Sequence, residues 1–243
     1  MSTLSIKNIT IVREGKPVVS HASLEVGSEE IHIILGPNGS GKTTLLNAIK
    51  GHPAYEITDG AIVLDGEDIT SLPTEKKAAK GIFLSLQHIP AIPGVTMLSF
   101  LHRAHRMVTG IEMSVPDFYC IITEKAKKFG INEKLLTHAM HGGVSAGEKK
   151  QSELIQLLAL EPKFALLDEI DSGVDIDSLN KVFAGIEQLR TQGTGFVIVT
   201  HLPTILEKVT PDRVSIMKGG AIVRTGGVEL AQEILIKGFE DIK

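Results

Sequence analysis

Hydrophobic positions along the chain fall into two kinds of run, and their order sets out the architecture. Short β-like runs occur at Ser5–Val12, His21–Val26, Ile31–Leu35, Ala61–Leu64, Gly81–Leu86, Phe164–Leu167, Phe196–Thr200, Arg213–Met217 and Ala221–Thr225. Several are continuously apolar rather than alternating, as expected of parallel strands covered on both faces. The first few and the last two are separated by short turns, of which Lys218-Gly219-Gly220 is the plainest, and these predict antiparallel hairpins. Between Leu86 and Phe164 the period changes. Met97–Val108, Pro116–Phe129, Glu133–Met140 and Ala146–Glu161 read as helices, punctuated by Pro90, Pro93, Gly94 and Gly142-Gly143. The expectation is an α/β fold. A mixed, largely parallel core sheet (residues 1–87 and 163–243) carries an antiparallel N-terminal β-subdomain, and an α-helical subdomain is inserted at about 88–162.

Composition narrows the class without naming a function. At 243 residues the chain can bury a sizeable core as one large domain or two small ones. A net charge of −4 gives no reason to expect non-specific binding to nucleic acid or to an anionic membrane. No apolar run approaches the ~20 residues of a membrane span, and the N-terminus does not resemble a signal peptide, so direct membrane insertion is not expected. The single cysteine, Cys120, cannot form an internal disulfide, which points to a reducing, cytoplasmic setting.

The chemistry begins at Gly36–Thr43. GPNGSGKT matches the phosphate-binding pattern G-x-x-x-x-G-K-[ST] in full, and it lies between the apolar run Ile31–Leu35 and the helix-like stretch Thr44–Lys50. Gly36, Pro37, Asn38, Gly39, Ser40 and Gly41 would curl the backbone so that N–H groups face phosphate oxygens, and the helix that follows adds its positive dipole end. Lys42 would reach the β- and γ-phosphates of a nucleoside triphosphate. The Thr43 hydroxyl would ligate magnesium, and Thr44 opens the helix. Phe164–Leu167 then leads into Asp168 and Glu169 at the carboxyl end of a buried strand, where open α/β sheets bind ligands. Alone, such a pair could be a solvated turn. Beside a phosphate loop, Asp168 suits magnesium and Glu169 suits polarising a water. Ser145 followed three residues later by Glu148 is a capping box that starts the next helix. Gly142, Gly143 and Gly147 crowd that start, as a close approach to an anion would require.

Here the chain resembles the ABC ATPases. Val144-Ser145-Ala146-Gly147-Glu148 is similar to their signature sequence, usually Leu-Ser-Gly-Gly-Gln. Gln87 matches the Q-loop glutamine, Ser172-Gly173-Val174-Asp175 resembles the D-loop, and His201 matches the switch histidine. The resemblance implies the P-loop NTPase fold of that family and magnesium-dependent hydrolysis of ATP. It implies catalysis by Glu169, His201, Gln87 and Lys42, with the ion held by Thr43, Gln87 and Asp168. It further implies a transient head-to-tail dimer formed on ATP, in which Ser145, Ala146, Gly147, Glu148 and Asp175 act in trans on the partner's nucleotide.

Longer phrases narrow the resemblance. HPAYEITDG (His52–Gly60), GIFLSLQHIPAIPGV (Gly81–Val95), GEKK (Gly147–Lys150) and LDEIDSGVDID (Leu167–Asp177) resemble the SufC family, the ABC-type ATPases of iron–sulfur cluster assembly. That resemblance implies partners of the SufB/SufD scaffold type, docking near residues 87–110. The subunit of a membrane transporter is the competing assignment. One cysteine cannot supply the roughly four ligands a cluster needs, so any cluster would sit on a partner. Ala146 replaces the first signature glycine, Gln151 and Ser152 stand where Arg-Asn is usual, and Val174 replaces a leucine. No aromatic lies near Ile11–Val18 to stack on adenine, which leaves ATP-over-GTP selection open. The histidine pairs His102/His105 and His138/His141 have helical spacing that could hold a metal, but no carboxylate or thiolate completes the set. Lys149 and Lys150 are expected on a solvated helix face.

Overall fold

The computed structural model describes residues 1–85, 92–140, 145–171 and 175–238. Gln87, Pro90, His141, Gly142, Gly143, Val144, Ser172, Gly173 and Val174 lie outside the described residues. Strands β1 (Thr3–Arg13) and β2 (Lys16–Gly27) form the first hairpin, followed by β3 (Ile31–Leu35), α1 (Lys42–Lys50), β4 (Glu56–Leu64), β5 (Glu67–Asp68), α2 (Thr74–Ala79) and β6 (Ile82–Ser85). Next come β7 (Ile92–Thr96), α3 (Met97–Thr109), α4 (Val115–Lys128), β8 (Ala139–Met140) and α5 (Ala146–Leu160). The chain then returns through β9 (Phe164–Asp168), α6 (Ile176–Thr191), β10 (Gly195–Thr200), β11 (Arg213–Lys218), β12 (Ala221–Gly226) and α7 (Val228–Lys237).

Two sheets carry the fold, as expected from the strand pattern. An antiparallel sheet has the order β2-β1-β4-β5, and a six-stranded sheet has the order β12-β11-β3-β10-β9-β6. The latter is parallel apart from its β11–β12 hairpin. Its central strands are buried along their whole length because each face has its own cover. Ile31, Ile33, Leu35, Leu167, Phe196 and Ile198 pack with α3 to α7, whereas Ile34, Phe164, Leu166, Val197 and Val199 pack with α1 and the antiparallel sheet. Alternate side chains thus serve two cores, which is why these strands read as unbroken apolar runs.

The helices between β6 and β9 begin where their caps dictate. Thr96 caps α3 and Ser114 caps α4, each accepting a first-turn N–H. The expected helix Glu133–Met140 is corrected. Only Glu133–Leu136 is helical, as a 3-10 turn that buries Leu135 and Leu136. Ala139–Met140 then turns extended and pairs with β7, and the Met97 N–H bonds the His138 carbonyl. Backbone pairing with the strand in front of α3 outcompetes a further helical turn. Helices α2, α6 and α7 are additional to those expected from sequence.

Candidate functional site

The loop between β3 and α1 is held at its two ends, Gly36 and Gly41, by contacts that leave no room for a side chain. A Cβ at Gly36 would lie 2.2 Å from the Met217 carbonyl oxygen on β11, so the loop leaves β3 flat against a neighbouring backbone. Gly41, at φ 105°, caps α1 with no side chain, leaving first-turn N–H groups of the helix open to an anion. Lys42 Nζ donates to the Gly36 carbonyl at 2.8 Å and the Pro37 carbonyl at 3.0 Å. Burial lowers its pKa, and the nearby Glu169 and Asp168 charges oppose that shift. Ser40 Oγ is buried without a hydrogen-bond partner among the described residues. A cavity of about 170 Å³ opens here, lined by Val18, Asn38, Gly39, Lys42, Thr43 and Glu169 among others.

At the floor of the site Thr43 Oγ1 donates to Asp168 Oδ1 at 3.2 Å. Burial raises the Asp168 pKa, against the pull of the Thr43 hydroxyl. A hydroxyl and a buried carboxylate side by side suit a magnesium ion, which takes one or two protein ligands and completes its shell with water and phosphate oxygens. The orphaned Ser40 hydroxyl and the open α1 donors fit a polyphosphate in the same way.

Glu169 is a non-glycine residue at φ 47°, in the left-handed region. It is held there by its own N–H, which donates to the Val199 carbonyl at 2.9 Å. Strain of this kind persists only where the surroundings impose it. Its carboxylate Oε1 lies 3.0 Å from His201 Nδ1, so the acid after β9 and the histidine after β10 meet although 32 residues separate them. Parallel pairing of β9 with β10 (Asp168 opposite Val199) produces that meeting.

The signature residues form a second cluster. Ser145 caps α5, and the box is closed both ways: the Glu148 N–H donates to Ser145 Oγ, and the Ser145 N–H donates to Glu148 Oε2 at 2.8 Å. These bonds from Ser145 lower the Glu148 pKa. Asp175 caps α6 by accepting from the Ser178 N–H at 2.8 Å. A Cβ at Gly147 would stand 2.8 Å from Asp175 Oδ2 and 2.9 Å from Ser178 Oγ. This glycine therefore lets α5 approach the side chains at the start of α6 within one chain. None of Ser145, Ala146, Gly147, Glu148 or Asp175 lines the phosphate-loop cavity.

One expectation about side chains changes. Lys149 is exposed, but Lys150 is only 8% exposed and pairs with Glu153 at 3.1 Å, where Glu153 also accepts from Ser85 Oγ at 2.5 Å. The side of α5 that carries Lys150 packs toward β6, so an ion pair replaces the solvated face. His102 and His105 both lie against the Phe118 ring, and His102 Nε2 bonds the Met113 carbonyl. Among the described residues no group of His, Cys, Asp and Glu side chains could hold a metal ion on its own.

A family model described as ABC transporter matches residues 19–172. The chain belongs to the ABC transporter ATPase family. Vegetative protein 296 of Bacillus subtilis is 41% identical over 244 residues, covering 100% of this chain and 94% of that protein. A probable ATP-dependent transporter of Synechocystis is 41% identical over 241 residues, covering 98% and 94%. The fold is that of the solved cassettes. A nucleotide-free ATP-binding cassette from an ABC transporter superposes with TM-score 0.81 at 22% identity, covering 100% of this chain and 97% of that one. A dimeric cassette in a post-hydrolysis state, bound to ADP and Pi, gives TM-score 0.81 at 23% identity over 93% and 98%. As an ABC ATPase the chain binds ATP and hydrolyses it. Among the described residues no helix is long and apolar enough to cross a membrane.

Proposed function

We propose that the chain is the ATP-hydrolysing subunit of an iron–sulfur cluster assembly system, driving conformational change in a SufB/SufD-type scaffold. The observation that carries this reading is an apolar groove of about 350 Å³ beside β6 and α3, lined by Phe83, Ile92, Phe100, Ala104, Val108 and Leu160 among others. It flanks the stretch Gly81–Val95, whose wording is the most specific part of the SufC resemblance, and overlaps the region 87–110 where a scaffold would dock. The lone Cys120 agrees, since a cluster would need ligands from a partner. A second reading, the ATP-binding subunit of a membrane transporter, is favoured by the relatives' names, such as the probable ATP-dependent transporter of Synechocystis. Affinity capture from the native cell separates the two: co-purifying SufB-like proteins are expected, and a permease in their place overturns the first reading.

In the proposed mechanism Lys42 and the N–H groups of Gly39 to Thr44 bind the β- and γ-phosphates. Thr43, Asp168 and Gln87 would hold a magnesium ion, which would supply positive charge to the phosphates. Glu169 accepts a proton from the attacking water. His201, beside that carboxylate, fixes its orientation and faces the γ-phosphate. The site is completed by a second copy in a head-to-tail dimer, whose Ser145, Ala146, Gly147, Glu148 and Asp175 close over the nucleotide and exclude water.

A further inference from the structure

A third carboxylate stands two residues beyond Glu169 and has no part in the mechanism so far. Asp171 is half-buried, and the Thr200 hydroxyl donates to it, at 2.8 Å from Oδ2 and 3.1 Å from Oδ1. Thr200 is fully buried. Its oxygen also accepts the N–H of Leu202 at 2.9 Å, the residue on the far side of His201. One hydroxyl therefore closes the two-residue turn on which His201 stands, and its proton ties that turn to the segment after Glu169. The Glu169 N–H bonded to the Val199 carbonyl is a second tie between the same two segments, and the 3.0 Å contact of His201 with Glu169 lies between the two. Burial pushes the Asp171 pKa up, opposed by the Thr200 hydroxyl, so the carboxylate occupies a position that desolvation alone would disfavour.

We propose that Asp171 is a positioning residue that acts through the Thr200 hydroxyl to hold His201 against Glu169 during ATP hydrolysis. The proposal rests on the roles given above to His201 and Glu169. Without the tie, the turn 200–202 is free to rotate and the histidine leaves the carboxylate, a displacement of a kind that can lower turnover about 10- to 100-fold.

Steady-state ATPase assays on the full chain test it. Thr200→Val, which keeps shape and removes the hydroxyl, and Asp171→Ala are each expected to lower kcat while KM for ATP stays close to wild type. Thr200→Ser, which restores the hydroxyl, is expected to recover most of the rate. In a His201→Ala background, adding Asp171→Ala is expected to leave the residual rate unchanged. Wild-type kcat in Thr200→Val, or a full further loss on adding Asp171→Ala to His201→Ala, overturns the proposal. If His201→Ala and Glu169→Gln themselves turn over like wild type, the catalytic assignment has failed first, and the two failures are told apart.

Discussion

The phosphate loop and the signature cluster both place a glycine-bearing chain at a helix N-terminus, yet they are built in opposite ways. At α1 the cap is Gly41, no side chain bonds the first turn, and the loop is wedged against the β11 backbone. At α5 the first turn is already closed by Ser145 and Glu148, the start is largely exposed, and its glycine packs on α6 rather than on a ligand. A helix start with open donors binds an anion unaided. One whose own cap already holds part of its first turn gains most when something displaces or supplements that cap. The difference fits a division of labour in which one chain binds the nucleotide with its loop and closes over the partner's nucleotide with its signature.

The sharpest way to break that division is to stop chemistry without touching either helix start. Glu169→Gln keeps the shape and the polar contact to His201 but removes the base. Its kcat is expected to fall on the order of 10²- to 10⁴-fold. ATP binding should survive, and size-exclusion chromatography with ATP should show an accumulated dimer. Wild-type turnover would overturn the assignment of Glu169.

The two glycines give the next largest contrast. Gly36→Ala drives a methyl onto a backbone oxygen that cannot move alone, with an expected cost of about 1–3 kcal/mol or more and a matching loss of ATP affinity. Gly147→Ala meets only the side chains of Asp175 and Ser178, which can rotate aside. It is expected to lose less stability in chemical denaturation and to leave ATP affinity of the single chain intact. Equal loss of ATP affinity in both variants would contradict the comparison.

The loop was legible from sequence because its geometry is local: glycine spacing, the preceding apolar strand and the following helix are all contiguous. The core strands were legible for the same reason, since two-sided burial leaves unbroken apolar runs. Contacts made at a distance were not. Nothing local reports that Gly147 faces Asp175 and Ser178, or that Lys150 turns inward to Glu153. The extended Ala139–Met140 depends on pairing with β7, so helix-like composition there misled. Helix α6 did carry a signal, with Asp175 as cap and Leu179, Val182, Phe183, Ile186 and Leu189 at helical spacing, and α7 has a similar pattern.

The far end of α1 extends the contrast to charge. Lys50 closes that helix, and Lys77 of α2 is fully buried beside it with no hydrogen-bond partner for Nζ among the described residues. Burial lowers both pKa values from 10.5 to about 8. Below pH 8 both states hold these protons, and the folded state bears the cost of a buried charge. Between about 8 and 10.5 the unfolded chain keeps protons that the folded chain has released, so stability rises with pH across that window. Lys77→Met is expected to stabilise the protein at pH 7 by about 1–3 kcal/mol and to flatten the rise, as read from denaturation midpoints at several pH values. An unchanged slope would mean that Lys77 finds an anionic or water partner that keeps it charged.

The smallest effect on stability separates capping from catalysis at the signature. Ser145→Ala removes the α5 cap and is expected to cost about 1 kcal/mol of stability. If Ser145 served only as a cap, turnover at saturating ATP would fall no further than that loss of folded protein accounts for. If a second copy uses the Ser145 hydroxyl on the γ-phosphate, turnover falls well beyond it while the single chain's ATP affinity is unmoved. Mixing Ser145→Ala with a loop-defective Lys42→Ala chain sharpens the point. A heterodimer of the two has one site with both defects and one with an intact loop and an intact facing Ser145. Recovered activity in the mixture would show that the two halves of a site come from different chains, and no recovery would place Ser145 and Lys42 in service of the same chain's nucleotide.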